Sequence, residues 1–182
     1  MLSILICTMP SRANKLARLM SILTPQMRPE VEILIESDEG QMSIGAKRNK
    51  LLSMATRKYV VFVDDDDTVH PQYIDMIFQA IGFSDPDCIG ICGEILYGNS
   101  TWQFRHSITV GRWCKDKLNK LFFRTPNHLN PIKREHALKA KFPEISYGED
   151  KQYSESVRPF LKTEAFIEGS IYFYTPSGEK RI

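Results

Sequence analysis

Residues 59–69 read YVVFVDDDDTV. Five uncharged residues run straight into four consecutive aspartates, Asp64, Asp65, Asp66 and Asp67. An apolar run of that length, bounded by polar residues, predicts a strand buried on both faces. Four carboxylates cannot follow it into a core, because unpaired buried charge is too costly. The strand therefore ends at Asp64, at the carboxyl edge of a sheet, and in open α/β sheets ligands bind at that edge. Clustered carboxylates repel one another unless a hard cation or another positive charge joins them. Side chains alternate along an extended chain, so Asp64 and Asp66 point the same way. Such a D-x-D pair can hold a divalent cation that grips phosphate oxygens. Asp67 and Thr68 also suit the cap of the helix that follows.

Upstream, Leu2 to Cys7 is a buried strand closed by Thr8, Met9 and Pro10, and Ser11 is expected to cap a helix. That helix carries Leu16, Leu19, Met20 and Leu23 on one face, and Pro25 stops it. Val31 to Ile35 is a second strand that also ends in acids, Glu36, Asp38 and Glu39. IGAKRNKLLSMA, from Ile44, reads as a helix with Leu51, Leu52 and Ala55 inward. After the aspartates a helix over 71–81 buries Tyr73, Ile74, Ile77, Phe78 and Ile81, with Pro71 in its first turn. The order β-α-β-α-β-α calls for a parallel sheet with crossover helices.

Beyond that the pattern changes. Cys88 to Tyr97 is strand-like, and Gly98-Asn99 turns the chain. Trp102, Phe104, His106, Ile108 and Val110 then alternate with polar residues, the mark of an antiparallel strand. Residues 112–130 are basic and aromatic and match no regular element. Asn130-Pro131 opens a short helix to about Ala140. Gly148-Glu149-Asp150 precedes another, and Ala165 to Tyr174 is a last strand. The tail TPSGEKRI is expected to fray.

The chain has 182 residues, 42% of them hydrophobic and 25% charged, which fits one soluble globular domain. Its net charge of +2 does not mark a nucleic-acid protein. Nine Lys or Arg nevertheless fall between Arg112 and Lys141 against two acids, Asp116 and Glu135. That stretch is either a solvated face or a surface for an anionic partner. Cys7, Cys88, Cys92 and Cys114 form no CxxC pair and no zinc spacing, so reduced thiols and a cytoplasmic protein are expected. The start, MLSILICTMP, lacks a basic n-region, and no run approaches a membrane span.

Several other groups can do chemistry at the same edge. Gly45, Lys47, Arg48 and Asn49 stand where a helix begins, and a positive helix start with two basic side chains suits a diphosphate. Glu36 and Asp38 can accept hydrogen bonds from a nucleobase imide or a ribose hydroxyl. Glu149 and Asp150 are either an N-cap or a general base held ionised by a helix start. His128 either caps a turn or completes a metal shell as a neutral imidazole.

SIGAKRNKLL followed by YVVFVDDDDTV is similar to the central block of family 2 glycosyltransferases, inverting enzymes of the GT-A fold. The Thr-x-Pro end of the first strand and the GED triplet stand where that family has them. NHLNPIKRE followed by YGED also resembles the collagen-type galactosyltransferases and their viral relatives. The resemblance implies a GT-A (Rossmann-like) mixed sheet, mostly parallel, with helices on both faces. It divides one domain, 1–182, into a nucleotide-sugar-binding half, 1–97, and an acceptor-binding half, 98–182. It implies a hexosyltransferase-like enzyme that moves sugar from a uridine diphosphate sugar to an acceptor hydroxyl.

Position by position, the resemblance places Thr8, Asp38 and Glu36 about the nucleoside, and Gly45, Arg48 and Asn49 near the uridine or diphosphate. It sets Asp64 and Asp65 on the nucleoside side. Asp66 would hold Mn2+ or Mg2+, which His128 could join on the residue reading above, and Asp150 would be the catalytic base with Glu149 in support. The chain departs from the family in having Glu-Ser-Asp where an Asp-Asp pair is usual, and in a reduced acceptor part. Three alternatives stay open: a glycosyltransferase that modifies phage DNA through the 112–141 stretch, a nucleotidyltransferase, and a non-catalytic nucleotide-binding module.

Overall fold

The computed structural model describes residues 1–175; most of the tail expected to fray lies outside them. Among these residues ten strands form one mixed sheet. Strands β1 (Leu2–Thr8), β2 (Val31–Ser37) and β3 (Tyr59–Phe62) lie parallel in the order β2-β1-β3. They are joined through α1 (Ala13–Leu23) and α2 (Ile44–Met54), so the predicted β-α-β-α-β unit is present. A two-residue strand, β4 (Thr68–Val69), follows the aspartates, and α3 (Tyr73–Ser84) leads to β5 (Cys88–Tyr97).

The rest of the sheet is mixed, with antiparallel strands following Gly98 as the alternation there implies. β5 runs antiparallel to β6 (Ser100–His106), which lies parallel to β8 (Leu121–Arg124), itself antiparallel to the edge strand β7 (Cys114–Asp116). A two-residue strand, β9 (Ile132–Lys133), is inserted antiparallel between β3 and β5. The last strand, β10 (Glu164–Phe173), pairs parallel with β5 and antiparallel with β4. Strands from 98–175 thus pair directly with strands from 1–97.

Alternation along the strands divides the core into two layers. Leu2, Ile4, Ile6, Val61, Ile89 and Ile91 face α1 and α3, meeting Leu19, Leu23, Tyr73, Ile74 and Ile77. Leu5, Cys7, Val60, Phe62 and Cys88 face the other way, toward Leu51 and Leu52 of α2. That layer also receives Ala137 of α4 (Arg134–Lys139) and Tyr153 and Val157 of α5 (Glu149–Val157). Helices therefore cover both faces, as the resemblance implies. Complete burial of each such side chain contributes about 1.5–3 kcal/mol relative to exposure.

Local expectations fail where a short element or a proline intervenes. Ser11 caps nothing: it lies in a 3-10 turn, Pro10–Arg12, that precedes α1. Pro71 precedes α3 rather than opening it. The alternation after Gly98 stops at His106, because the chain turns through Ser107 to Val110. Residues 112–124 form the hairpin β7–β8, and Asn130-Pro131 leads into β9 before α4 begins. Cys7 and Cys88 are buried thiols, and burial pushes Cys7 up to about 12.

Candidate active site

β3 delivers the aspartates to the carboxyl edge, and the chain bends sharply there because Asp67 N–H donates to the Asp64 carbonyl at 3.1 Å. The four carboxylates meet different surroundings. Asp64 keeps 21% of its side chain exposed and accepts from Arg48 Nη2 at 3.1 Å. Asp65 is buried, accepting from Thr8 Oγ1 at 2.6 Å and Arg12 Nε at 2.8 Å. Asp66 Oδ2 lies 2.9 Å from Arg12 Nη2 and 3.7 Å from Lys15 Nζ. Asp67 accepts from Tyr172 OH at 2.7 Å and from Thr175 N–H at 2.9 Å. Burial, followed by the neighbouring Asp64 charge, pushes Asp67 up to about 8.

Arg48 is the hub of the open side. Its residue is 3% exposed, and Nη1 donates to Glu149 Oε1 at 2.7 Å while Nη2 holds Asp64. Its guanidinium also lies 5.7 Å from the Phe62 ring centroid and 5.5 Å from that of Phe142. Aromatic faces attract a desolvated cation, and the two carboxylates neutralise it. Residue 48 reaches this place because Ser43 caps α2, accepting from Ala46 N–H at 3.2 Å.

α5 is brought to Arg48 by the loop before it. A Cβ on Gly45 would sit 1.8 Å from the Pro143 carbonyl oxygen, so only glycine allows this loop to dock on α2. Asn49 secures the same loop with both ends of its amide, donating to the Phe142 carbonyl at 2.8 Å and accepting its N–H at 2.9 Å. The Phe142 ring then stacks on Tyr153 of α5 at 3.9 Å. Gly148, at φ 77°, turns the chain into α5, where Glu149 is buried and Asp150 is half-buried. Lys151 N–H donates to Asp150 Oδ1 at 2.7 Å.

His128 comes from a buried loop pinned by two asparagines. Asn130 Oδ1 accepts Asn127 N–H at 3.0 Å, and Asn127 Oδ1 accepts Leu129 N–H at 3.0 Å. Phe62 N–H donates to the His128 carbonyl at 2.9 Å, which sets this loop beside the end of β3. His128 Nε2 consequently stands 3.6 Å from Asp64 Oδ2, and neither ring nitrogen has a hydrogen-bond partner among the described residues.

The structure thus brings Arg48, Asp64, His128 and Glu149 together, with Asp150 on the next residue of α5. It occupies other expected groups differently. Lys47 is buried, donates to the Thr8 carbonyl at 2.9 Å and pairs with Asp38. The hydrogen bond that Asp38 accepts from Lys47, with that from the Met42 N–H, holds Asp38 below the usual carboxylate range. Glu36 pairs with Lys50 at 2.8 Å. Gly45 and Asn49, expected beside a uridine or diphosphate, hold the 142–145 loop. Arg12, Lys15 and Tyr172 escaped the sequence reading. Arg12 had a faint signal, a cation just past the first strand, but Tyr172 lies 105 residues from Asp67 and had none.

Among the described residues no three His, Cys, Asp or Glu side chains form a ready-made metal cage. Two donors do converge, the Asp64 carboxylate and the buried His128 imidazole without a hydrogen-bond partner. Asp66, the expected ligand, faces Arg12 and Lys15. Mg2+ commonly uses one or two protein carboxylates and takes the rest of its shell from phosphates and water, so a sparse donor set fits such an ion.

A parallel β-α-β-α-β unit that presents aspartates at its carboxyl edge, extended by a mixed sheet, defines a Rossmann-like α/β fold of the GT-A type. The chain belongs to Glycosyl transferase family 2, whose family profile matches residues 14–144. Among solved structures it is similar to S. aureus TarS 1-349 in complex with UDP-GlcNAc, with TM-score 0.76 and 16% identity. That match covers 98% of this chain and 59% of TarS 1-349. The same protein in complex with UDP gives TM-score 0.74 and 17% identity over 97% of this chain and 60% of that one. The chain therefore spans about three-fifths of these neighbours' length. The bifunctional IspDF of Campylobacter jejuni is more distant, with TM-score 0.52 and 14% identity over 93% of this chain and 50% of that one. No curated protein matches the chain.

Proposed function

We propose that this chain transfers a sugar, with inversion, from a uridine diphosphate sugar to an acceptor hydroxyl. One observation carries the reading: buried Arg48 ties Asp64, at the end of β3, to Glu149, at the start of α5. The donor-side carboxylate and the start of the helix that carries Asp150 are thereby held together at one edge of the sheet. The family and the neighbour solved with UDP-GlcNAc support a nucleotide-sugar donor.

In this reading Asp64 faces the donor, and Arg48 holds that carboxylate in place. Mn2+ or Mg2+ would be held by Asp64 and His128, with Asp66 joining if Arg12 and Lys15 give way, and would neutralise the leaving diphosphate as a Lewis acid. Asp150 is the base. The start of α5 positions it, and it takes the proton as the acceptor oxygen attacks the anomeric carbon in line. The new C–O bond forms as the bond to the diphosphate breaks, and UDP leaves with its electron pair. Glu149 supports this by fixing the start of α5 against Arg48.

The test is product analysis across a panel of uridine diphosphate sugars and hydroxyl acceptors. Release of UDP with a glycosylated product is expected, whereas release of pyrophosphate would make the chain a nucleotidyltransferase. Asp150→Asn should bind UDP as the parent does and lose about 100- to 10,000-fold in transfer rate. Full activity in that variant would refute the role given to Asp150.

A further inference from the structure

The basic stretch 112–141 does not form one face. Lys133 pairs with Asp85 and Asp87 at 3.5 and 3.3 Å, and Arg124 lies 4.7 Å from the Trp113 ring centroid. What stands out is the β7–β8 hairpin, where Arg112, Lys115, Lys117 and Lys120 are exposed. Its one acid, Asp116, is engaged inside the turn, accepting Leu118 N–H at 2.9 Å, Asn119 N–H at 3.1 Å and Asn119 Nδ2 at 2.7 Å. At the tip, Leu118 is 90% exposed. Beside it, in the β5–β6 turn, Tyr97 is 44% exposed, with the Lys115 ammonium 5.2 Å from its ring centroid.

Strand register shows where this tip points. One row of paired residues crosses the sheet, from Thr68 through Phe173, Glu94, Gln103 and Leu121 to Asp116. Residues 117–120 project beyond that row on the side where the aspartates 64–67 stand. The hairpin and the candidate site therefore share an edge.

We propose that this hairpin docks the site edge on an anionic lipid surface. Leu118 enters the interfacial layer, and Lys115, Lys117 and Lys120 meet the headgroup phosphates. A bare apolar tip inside a basic collar suits a bilayer interface, where amphipathic surfaces gain from both terms. A nucleic acid would satisfy the lysines but give Leu118 nothing to enter.

Sedimentation of the full chain with vesicles tests it, comparing phosphatidylcholine alone with phosphatidylcholine mixed with phosphatidylglycerol. Binding to the anionic vesicles alone is expected, and added salt should release it. Lys115→Gln, Lys117→Gln and Lys120→Gln should each weaken it about fivefold. Leu118→Ser should weaken it at least about tenfold and leave the salt dependence unchanged. Lys141→Gln, exposed but outside the hairpin, should bind as the parent does, and circular dichroism checks that every variant is folded. Equal binding to both vesicle types, or none to either, overturns the proposal. So does duplex DNA binding that Leu118→Ser leaves intact in a chain that ignores vesicles.

Discussion

Carboxylates held by several donors stand at both edges of this sheet, and they are treated differently. At the amino edge, Asp87 is surrounded by donors. Its Oδ2 accepts the N–H groups of Lys162 at 2.9 Å and Thr163 at 3.1 Å, while Oδ1 meets His136 at 3.2 Å and Lys133 at 3.3 Å. At the carboxyl edge four aspartates crowd together, and their cations are shared. Arg12 serves both Asp65 and Asp66, and Arg48 serves both Asp64 and Glu149. One edge is saturated and holds the fold together. The other balances its charges through shared partners and keeps Asp64 partly in solvent next to His128. Shared cations and a solvent-facing carboxylate mark a place where a ligand can enter the network.

The largest effect that breaks this contrast is expected at Arg48. Arg48→Met strands Glu149 and Asp64 without their common cation, and should cost about 3–5 kcal/mol in urea denaturation at unchanged m-value. Adding Glu149→Gln to that variant should recover part of the loss, because one stranded charge is removed. Next comes Gly45→Ala. The added Cβ meets the Pro143 carbonyl oxygen at 1.8 Å, so the loop that carries α5 has to move. A cost of about 2–3 kcal/mol is expected, with a drop in transfer rate, since the position of Asp150 depends on that docking.

The smaller effect lies at the saturated edge and depends on pH. Burial opposes the Asp87 charge, but donation from the Lys162 N–H, His136, the Thr163 N–H and Lys133 prevails and holds the carboxyl well below its ordinary range. A carboxylate depressed in the folded state stabilises above its unfolded pKa of about 3.9, and that stability is lost as pH falls toward the depressed value. Asp87→Asn should therefore cost about 1–2 kcal/mol at neutral pH. The gap from the parent should close in strong acid, and thermal melts between pH 7 and pH 2 would show it. Sugar transfer at neutral pH should be unaffected, which distinguishes this edge from the other.

How much of this was legible in advance follows from the range of the interactions. β1, α1, β2, α2, β3 and α3 could be read because each is a run of apolar residues with its own period, whereas the two-residue β4 could not. YVVFVDDDDTV announced both a buried strand and a polar edge, and GED marked the start of α5. β9 could not be read, because two residues carry no periodicity. The sharing of Arg48 was also hidden, since Glu149 lies 101 residues away and only the docking of Gly45 against Pro143 brings it close. The use made of Asn49 was hidden for a related reason. Its helix-start position suits a diphosphate, but tertiary packing spends both ends of its amide on Phe142.

The central claim is that the aspartate edge is completed by a cation and the diphosphate it holds. It is tested most directly by thermal shift with UDP, with and without Mn2+, on the parent, Asp64→Asn and His128→Ala. In the parent, UDP with Mn2+ at a hundredfold excess over Kd should add about 2.7 kcal/mol, or about 5–10 °C in Tm. Either component alone should do much less, and both variants should lose the cooperative part. Equal stabilisation of all three proteins, or a UDP effect indifferent to metal, would contradict the account.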